Sequence, residues 1–354
     1  MHKQNRRRFI RNMAALPAAL MANKILLTSV IPSELSGANT NAHNMKKSSY
    51  KPGYVAMHES GELKARGQVL YEKMRRCTLC PRDCETDRLS GQRGDCNANG
   101  DLEVSSISAH FGEEEELVGR NGSGTVFFTN CAMLCVFCIN YDVSQLGHGN
   151  KYNTQNLADM MLLLQRWGCH NINVVSPSHY VPHILMALDR AVPDGLSIPL
   201  VYNTSGWEKT EILEFLDGIV DVYLTDFKYA DADAAGTYSP GADCYPEVAR
   251  KAMLEMHRQV GVANPDPYTG LINKGLMIRH LVMPENVIRS DEVIKWIAGN
   301  LPKETYINIM SQYTPMFKAR EHPEINRRIT RSEYNEVISI ARQQGLTNFR
   351  QQMR

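Results

Sequence analysis

The chain has 354 residues, 43% of them hydrophobic, which is enough for one large core plus a smaller module or for two modest domains. Its 39 basic and 38 acidic side chains nearly cancel, so no global field points to nucleic acid or to an acidic membrane surface. The nine cysteines fall as four at Cys77, Cys80, Cys84 and Cys96, three at Cys131, Cys135 and Cys138, and two singletons, Cys169 and Cys244. Short gaps of this kind suit metal or cluster ligation better than a disulfide framework, and the singletons read as ordinary thiols.

The first segment, Asn5-Arg6-Arg7-Arg8-Phe9-Ile10-Arg11, has the form of a twin-arginine export signal, in which two arginines precede a short apolar run and a small-residue cleavage site. The apolar run 13–22 is interrupted by Asn23-Lys24 before 25–31, too short and broken for a stable transmembrane span. Cleavage after Ala38 or Ala42 would leave a Ser/Asn/Lys-rich linker. The expected organisation is therefore an export signal over 1–42, a linker and lead-in over 43–70, a Cys-rich module over 71–118 and a larger domain over 119–354. The expected location is the periplasm; the alternative is a cytoplasmic protein whose basic amphipathic tail is never processed.

In the module, Cys77-x2-Cys80-x3-Cys84-x11-Cys96 offers four thiolates at gaps that can close a zinc site or hold an iron–sulfur cluster, and the sequence does not choose between them. Gly91 and Gly94 allow the tight turns that bring Cys96 back to the others. Residues 102–110 alternate as a strand or two. The acidic run 113–116 reads as a solvated edge, and His110 as a hydrogen-bonded loop residue.

From Gly124 onward, short β-branched and aromatic runs alternate with amphipathic stretches. Strands are predicted at 125–129, 171–175, 200–203, 220–225, 276–282 and 306–310, and helices near 154–168, 180–191, 208–216, 246–260, 291–298 and 331–344. In the first helix Leu157, Met160, Met161, Leu164 and Trp167 share a face. This alternation predicts βαβ units and a parallel sheet, and six units suit an open, partial (β/α)6 TIM-like barrel. Functional side chains then belong at the carboxyl ends of strands, where the sequence is polar: Ser176-Pro-Ser-His179, Asn203-Thr-Ser205-Gly206, Asp226-Phe-Lys228, Arg279-His280 and Ser311-Gln-Tyr313. Each alone reads equally well as a cap or a turn.

After the first of these strands comes Cys131-Ala-Met-Leu-Cys135-Val-Phe-Cys138. A four-iron cluster normally takes four thiolates, so a three-cysteine loop leaves one iron open for something else. The other readings are a zinc site short of its fourth ligand and, in an exported protein, disulfide partners.

The C-x3-C-x2-C spacing, with Phe137 before the third cysteine, resembles the signature of the radical S-adenosylmethionine (SAM) superfamily. The likeness extends from Cys77 to about Gly345 and is to the branch related to pyruvate formate-lyase activating enzyme. It is carried by Cys77-x-x-Cys-Pro-Arg-Asp-Cys84, Gly122-x-Gly-Thr-Val-Phe-Phe128, the cysteine loop with Asn140-Tyr141, Asn171-Ile-Asn-x-Val175, His179-Tyr-Val-Pro182, Val201-Tyr-Asn-Thr-Ser-Gly206, Asp226-Phe-Lys-Tyr229, Arg279-His-Leu-Val282 and Gln312-Tyr313. Two positions depart from it: Ser176-Pro177-Ser178-His179 replaces a glycine-glycine-acid segment, and Ile139 stands where relatives commonly carry glutamine.

The resemblance implies a [4Fe–4S] cluster on Cys131, Cys135 and Cys138, with SAM on the open iron. Reductive cleavage of SAM then gives a 5′-deoxyadenosyl radical for hydrogen abstraction. Asn203 and Ser205 suit ribose hydroxyls, Arg279 a carboxylate, Asp226 with Lys228 a charge pair, and groups near Ser176 the amino group. The implied partners are a low-potential electron donor and a protein substrate, as for a glycyl-radical activase. The alternatives are a radical SAM methyltransferase or carbon–sulfur bond former using the Cys77 set as an auxiliary cluster, and a non-catalytic iron–sulfur electron carrier.

Overall fold

Six of the strands in the structure grow from the six β-branched runs. They are β2 (Ser123–Phe128), β4 (Ile172–Val175), β5 (Leu200–Thr204), β6 (Val222–Asp226), β7 (Gly275–Leu281) and β8 (Tyr306–Met310). The structure is a computed structural model that describes residues 50–352. The export signal read at 1–42, and the linker residues before Tyr50, lie outside the described residues. Three further strands complete the sheet: β1 (Leu102–His110), β3 (Asn150–Tyr152) and β9 (Phe349–Gln352).

The sheet is mixed and mostly parallel, with strand order β3-β1-β2-β4-β5-β6-β7-β8-β9. β1 and β3 join antiparallel on one side, and every pairing from β2 to β9 is parallel. It does not close: β3 and β9 remain as edges. From β4 onward neighbours in the sheet follow chain order, so right-handed crossovers lay successive helices on one face. The helices are Thr154–Arg166, Val181–Ala191, Thr210–Leu213, Tyr245–Val260, Ser290–Asn300 and Arg331–Gln343. The first is held by a capping box in which Asn153 accepts from the Asn156 N–H at 2.9 Å and Asn156 accepts in return at 3.1 Å. Trp167 was expected on its buried face; it lies just past the helix end and is half exposed.

Side chains alternate across the strands and so build two cores. Val126, Phe128, Ile172, Val174, Tyr223, Ile278 and Ile307 face the helices in the larger one. On the opposite face Val201, Val222, Leu224, Met277 and Tyr306 pack with Leu117, Ala263 and Ile272 in the smaller one. Each such side chain contributes roughly 1.5–3 kcal/mol on leaving water.

The acidic run corrects a sequence expectation. It is not a solvated edge throughout: Glu115 is exposed, but the inner face supplies the other three carboxylates with partners. Arg279 of β7 donates to Glu113 at 3.1 Å, Asn308 of β8 to the buried Glu114 at 2.9 Å, and Tyr306 to Glu116 at 2.8 Å. Part of the stretch read as linker and lead-in is helical, over Gly53–Glu59 and Glu62–Glu72. In the second helix Gly67 permits a close approach to Val181–Ala191, where an added Cβ would meet the Leu185 Cβ at 3.3 Å.

Candidate metal centre

The cysteine loop leaves the carboxyl end of β2 through two left-handed residues, Asn130 (φ 67°) and Leu134 (φ 54°). Asn130 tolerates that conformation, and its side-chain amide donates to Glu103 at 2.8 Å. The loop is pinned from four directions. The Val136 N–H donates to the Tyr238 carbonyl at 2.9 Å, the Lys318 N–H to the Val136 carbonyl at 2.9 Å, Gln145 to the Cys135 carbonyl at 2.7 Å, and Arg82 to the Ala132 carbonyl at 2.7 Å. Phe137 packs edge-on against Tyr229 and Tyr313.

Donors converge on all three sulfurs. Ser239 donates to the Cys135 Sγ at 3.1 Å, the Ser144 hydroxyl lies 3.2 Å from the Cys138 Sγ, and the backbone N–H groups of Met133 and Asn140 turn toward Cys131 and Cys138. Burial, and then the neighbouring thiols, push Cys131 up to about 12 and raise Cys138. Such thiols are inert unless a bound cation takes their protons' place, which is what coordination does. Among the described residues no group of three His, Cys, Asp or Glu side chains converges tightly enough to hold a metal ion as it stands. The sulfur-directed donors and the chemistry of the thiols nevertheless fit a thiophilic centre on this loop.

The Cys77 set is built in the same way. Cys77 exchanges backbone hydrogen bonds with Thr86 and Glu85, both 3.0 Å, which folds the segment into a knuckle. The backbone N–H groups of Arg82, Thr86 and Ala98 turn toward the sulfurs of Cys80, Cys84 and Cys96. Gly94 makes room: a Cβ there would sit 3.0 Å from the Cys84 Sγ and 3.8 Å from the Cys96 Sγ. Burial raises Cys80 and Cys96. It works the same way on Cys84, but donors from Thr86 and Asp95 outweigh it and hold that thiol below its usual value. All nine cysteines are free thiols.

The polar strand ends form two groups. Asp226 receives Lys228 at 2.6 Å and Arg279 at 2.9 Å, and Arg279 also donates to Asn203 at 2.7 Å. With Glu113 this makes two cations and two anions, with side-chain exposures of 12 to 22% that leave them reachable from solvent. Burial alone would raise Asp226, yet Arg279 and Lys228 hold it below the usual carboxylate range. Burial opposes the charge on Lys228, but Asp226 and then the nearby Cys135 keep its ammonium firmly protonated. The second group is a small pocket lined by Cys131, Ser176, Ser178, His179, Ser205 and Trp207. Ser176 takes a left-handed φ of 56°, and its N–H donates to the Asn203 carbonyl at 3.0 Å, linking the two groups.

Two residues escape a reading of the sequence. Glu113 was hidden in a charge run. Glu208 looked like a helix start, but it is 1% exposed and accepts from Ser178 and Thr204 on one oxygen, while the other, Oε2, has no partner. Burial raises Glu208 to about 7. Its only sequence signal is its place three residues after the Asn203-Thr-Ser205 strand end.

The fold and site define an α/β protein with an open, mostly parallel sheet and a cysteine loop at the carboxyl end of β2. No family model matches the chain. It is 31% identical over 278 residues to the uncharacterized protein MJ0674 of Methanocaldococcus jannaschii, covering 76% of this chain and 75% of the relative. The chain belongs to the family of that protein.

Proposed function

We propose that this protein is a radical SAM enzyme whose six central parallel strands act as a partial (β/α)6 barrel. The observation that carries the reading is the pinned loop of Cys131, Cys135 and Cys138 at a strand's carboxyl end, with donors on every sulfur and a balanced charge network beside it. Cys131, Cys135 and Cys138 would hold a [4Fe–4S] cluster, which would supply the one-electron reduction of SAM to methionine and a 5′-deoxyadenosyl radical able to take hydrogen from a substrate.

The protein's own part is binding, orientation and exclusion of water. Asn203 and Ser205 present amide and hydroxyl groups to ribose, Ser176 offers hydroxyl and backbone groups to the amino end, and Arg279 offers a guanidinium to the carboxylate. Arg279 is already committed to Asp226, Glu113 and Asn203, so it receives a ligand by exchanging one of these partners. Lys228 keeps a positive charge against the cysteine loop, which stabilises negative charge on the thiolates there. The Cys77, Cys80, Cys84 and Cys96 set is proposed to hold zinc or a second iron–sulfur cluster. A low-potential electron donor and a protein substrate are the proposed partners, and export through the twin-arginine route is the proposed destination.

The test is anaerobic reconstitution, reduction in the presence of SAM and assay for 5′-deoxyadenosine. Wild type is expected to form it and Cys135→Ala to lose it; equal product from both overturns the proposal, and none from either leaves an electron carrier. Separately, a change of Arg6 and Arg7 to lysine is expected to keep the protein in the cytoplasm, and an unchanged compartment would remove the twin-arginine reading.

A further inference from the structure

Arg88 is fully buried, with 0% of its surface exposed. Its Nε and Nη2 donate to the Asn99 carbonyl at 3.1 and 2.8 Å, and its Nη1 lies 3.7 Å from the Cys77 Sγ. Among the described residues its hydrogen bonds go to the Asn99 carbonyl and the Cys77 sulfur and to no carboxylate. Its charge also acts on His179 and His183, which cannot balance it because an imidazole is neutral or cationic. Burial first, and Arg88 second, hold His179 near 3 and His183 near 4, so both are neutral. A buried guanidinium left without an anion is strongly destabilising. Of the groups able to become anions, the Cys77 thiol touches it, and the Cys96 thiol and the Tyr180 phenol feel its field; the phenol, raised by burial to about 12, stays protonated.

We propose that Arg88 is the built-in counter-cation of an anionic metal centre formed by the thiolates of Cys77, Cys80, Cys84 and Cys96. This rests on reading that set as ligands and is independent of any SAM chemistry at Cys131, Cys135 and Cys138. Binding releases four thiol protons to solvent. Four thiolates around Zn²⁺, or around an oxidised [4Fe–4S] core of charge +2, leave a net charge of −2, which the guanidinium half neutralises. The sulfurs' remaining lone pairs meet the amides of Arg82, Thr86 and Ala98. Arg88 is thus a positioning residue: its planar fork is anchored on Asn99 and presents one edge to sulfur.

The experiment uses the full chain, purified anaerobically, with Cys131, Cys135 and Cys138 all changed to alanine so that only this centre is counted; if that variant does not fold, Cys135→Ala replaces it. Metal analysis is expected to give about one zinc or about four iron per chain, the two arms naming the metal, and Cys80→Ser is expected to abolish it. Absence of both metals overturns the proposal. Release to a chelator, measured well below the melting temperature, is expected to be at least tenfold faster in Arg88→Met, with Arg88→Lys, which keeps the charge but not the fork, falling between Arg88→Met and wild type. With metal stripped, Arg88→Met is expected to be at least as stable as the parent, since the unpaired charge is gone. A purely structural arginine gives the opposite pattern, a less stable stripped chain with unchanged release, and that result also overturns the proposal.

Discussion

Asp221 shows how one buried carboxylate ties distant segments together. Its Oδ1 accepts from the Tyr50 hydroxyl at 2.7 Å and the Gly53 N–H at 3.0 Å, and its Oδ2 from the Leu200 N–H at 2.8 Å. Burial nonetheless dominates and raises it to about 6. Because the folded protein holds this proton more tightly than the unfolded chain, the group's contribution to stability is full below about pH 4 and is lost as pH rises through about 6. Asp221→Asn is expected to flatten the pH dependence of the urea midpoint across this window. It should also lower stability by about 1–3 kcal/mol at neutral pH, because the new amide cannot accept on both sides. An unchanged slope between pH 4 and 6 would show that the proton is not held here.

Among the elements, the β5 end depends on Gly206. Its φ is +79°, and a Cβ would collide with the Asp226 carbonyl while meeting Thr225 Oγ1 at 3.1 Å and the Tyr245 hydroxyl at 3.2 Å. Tyr245 holds that corner by donating to the Ser205 and Asp226 carbonyls. Gly206→Ala is expected to reduce stability by about 2 kcal/mol or more in thermal denaturation; a loss below about 0.5 kcal/mol would mean that the corner yields freely. In the network next to it, Arg279→Met leaves Asp226 and Glu113 without their shared cation. A loss of about 3–5 kcal/mol is expected, and a neutral result would show that solvent replaces the guanidinium. The positions of Asn203, Asp226 and Lys228 were legible in the sequence because each follows or ends a β-branched run, and that of Arg279 because it interrupts one. The partner Glu113 was not. Nothing in a run of four acids reveals that the chain will turn and lay it against a strand more than 150 residues later.

At the scale of the molecule, the six central strands were legible for a plain reason: runs such as Val222-Tyr-Leu-Thr and Tyr306-Ile-Asn-Ile are too short and too β-branched to be anything else. β9, with Phe349-Arg-Gln-Gln, carries no apolar alternation, and its place beside β8 follows from pairing alone. Whether the sheet closes is likewise a property of its edges, which composition does not record. The Cys-rich segment is joined to the sheet by Arg82, which donates to the Ala132 and Pro240 carbonyls and lies over Trp207 at 5.1 Å. One cooperative unfolding transition is therefore expected for residues 50–352, and Arg82→Ala should lower its midpoint by about 1–2 kcal/mol without splitting it. Two resolved calorimetric peaks would show that the segments unfold separately.

The small apolar core of Leu117, Ala263, Ile272 and Met277 stops up the inner face of the sheet at the strands' amino ends. Arg279, two residues beyond Met277 on the same face of β7, stands next to this plug on the way to the strands' carboxyl ends. The charged network of Arg279, Asp226, Lys228 and Glu113 therefore has an apolar floor on one side, which keeps its ion pairs from being dissolved by water there.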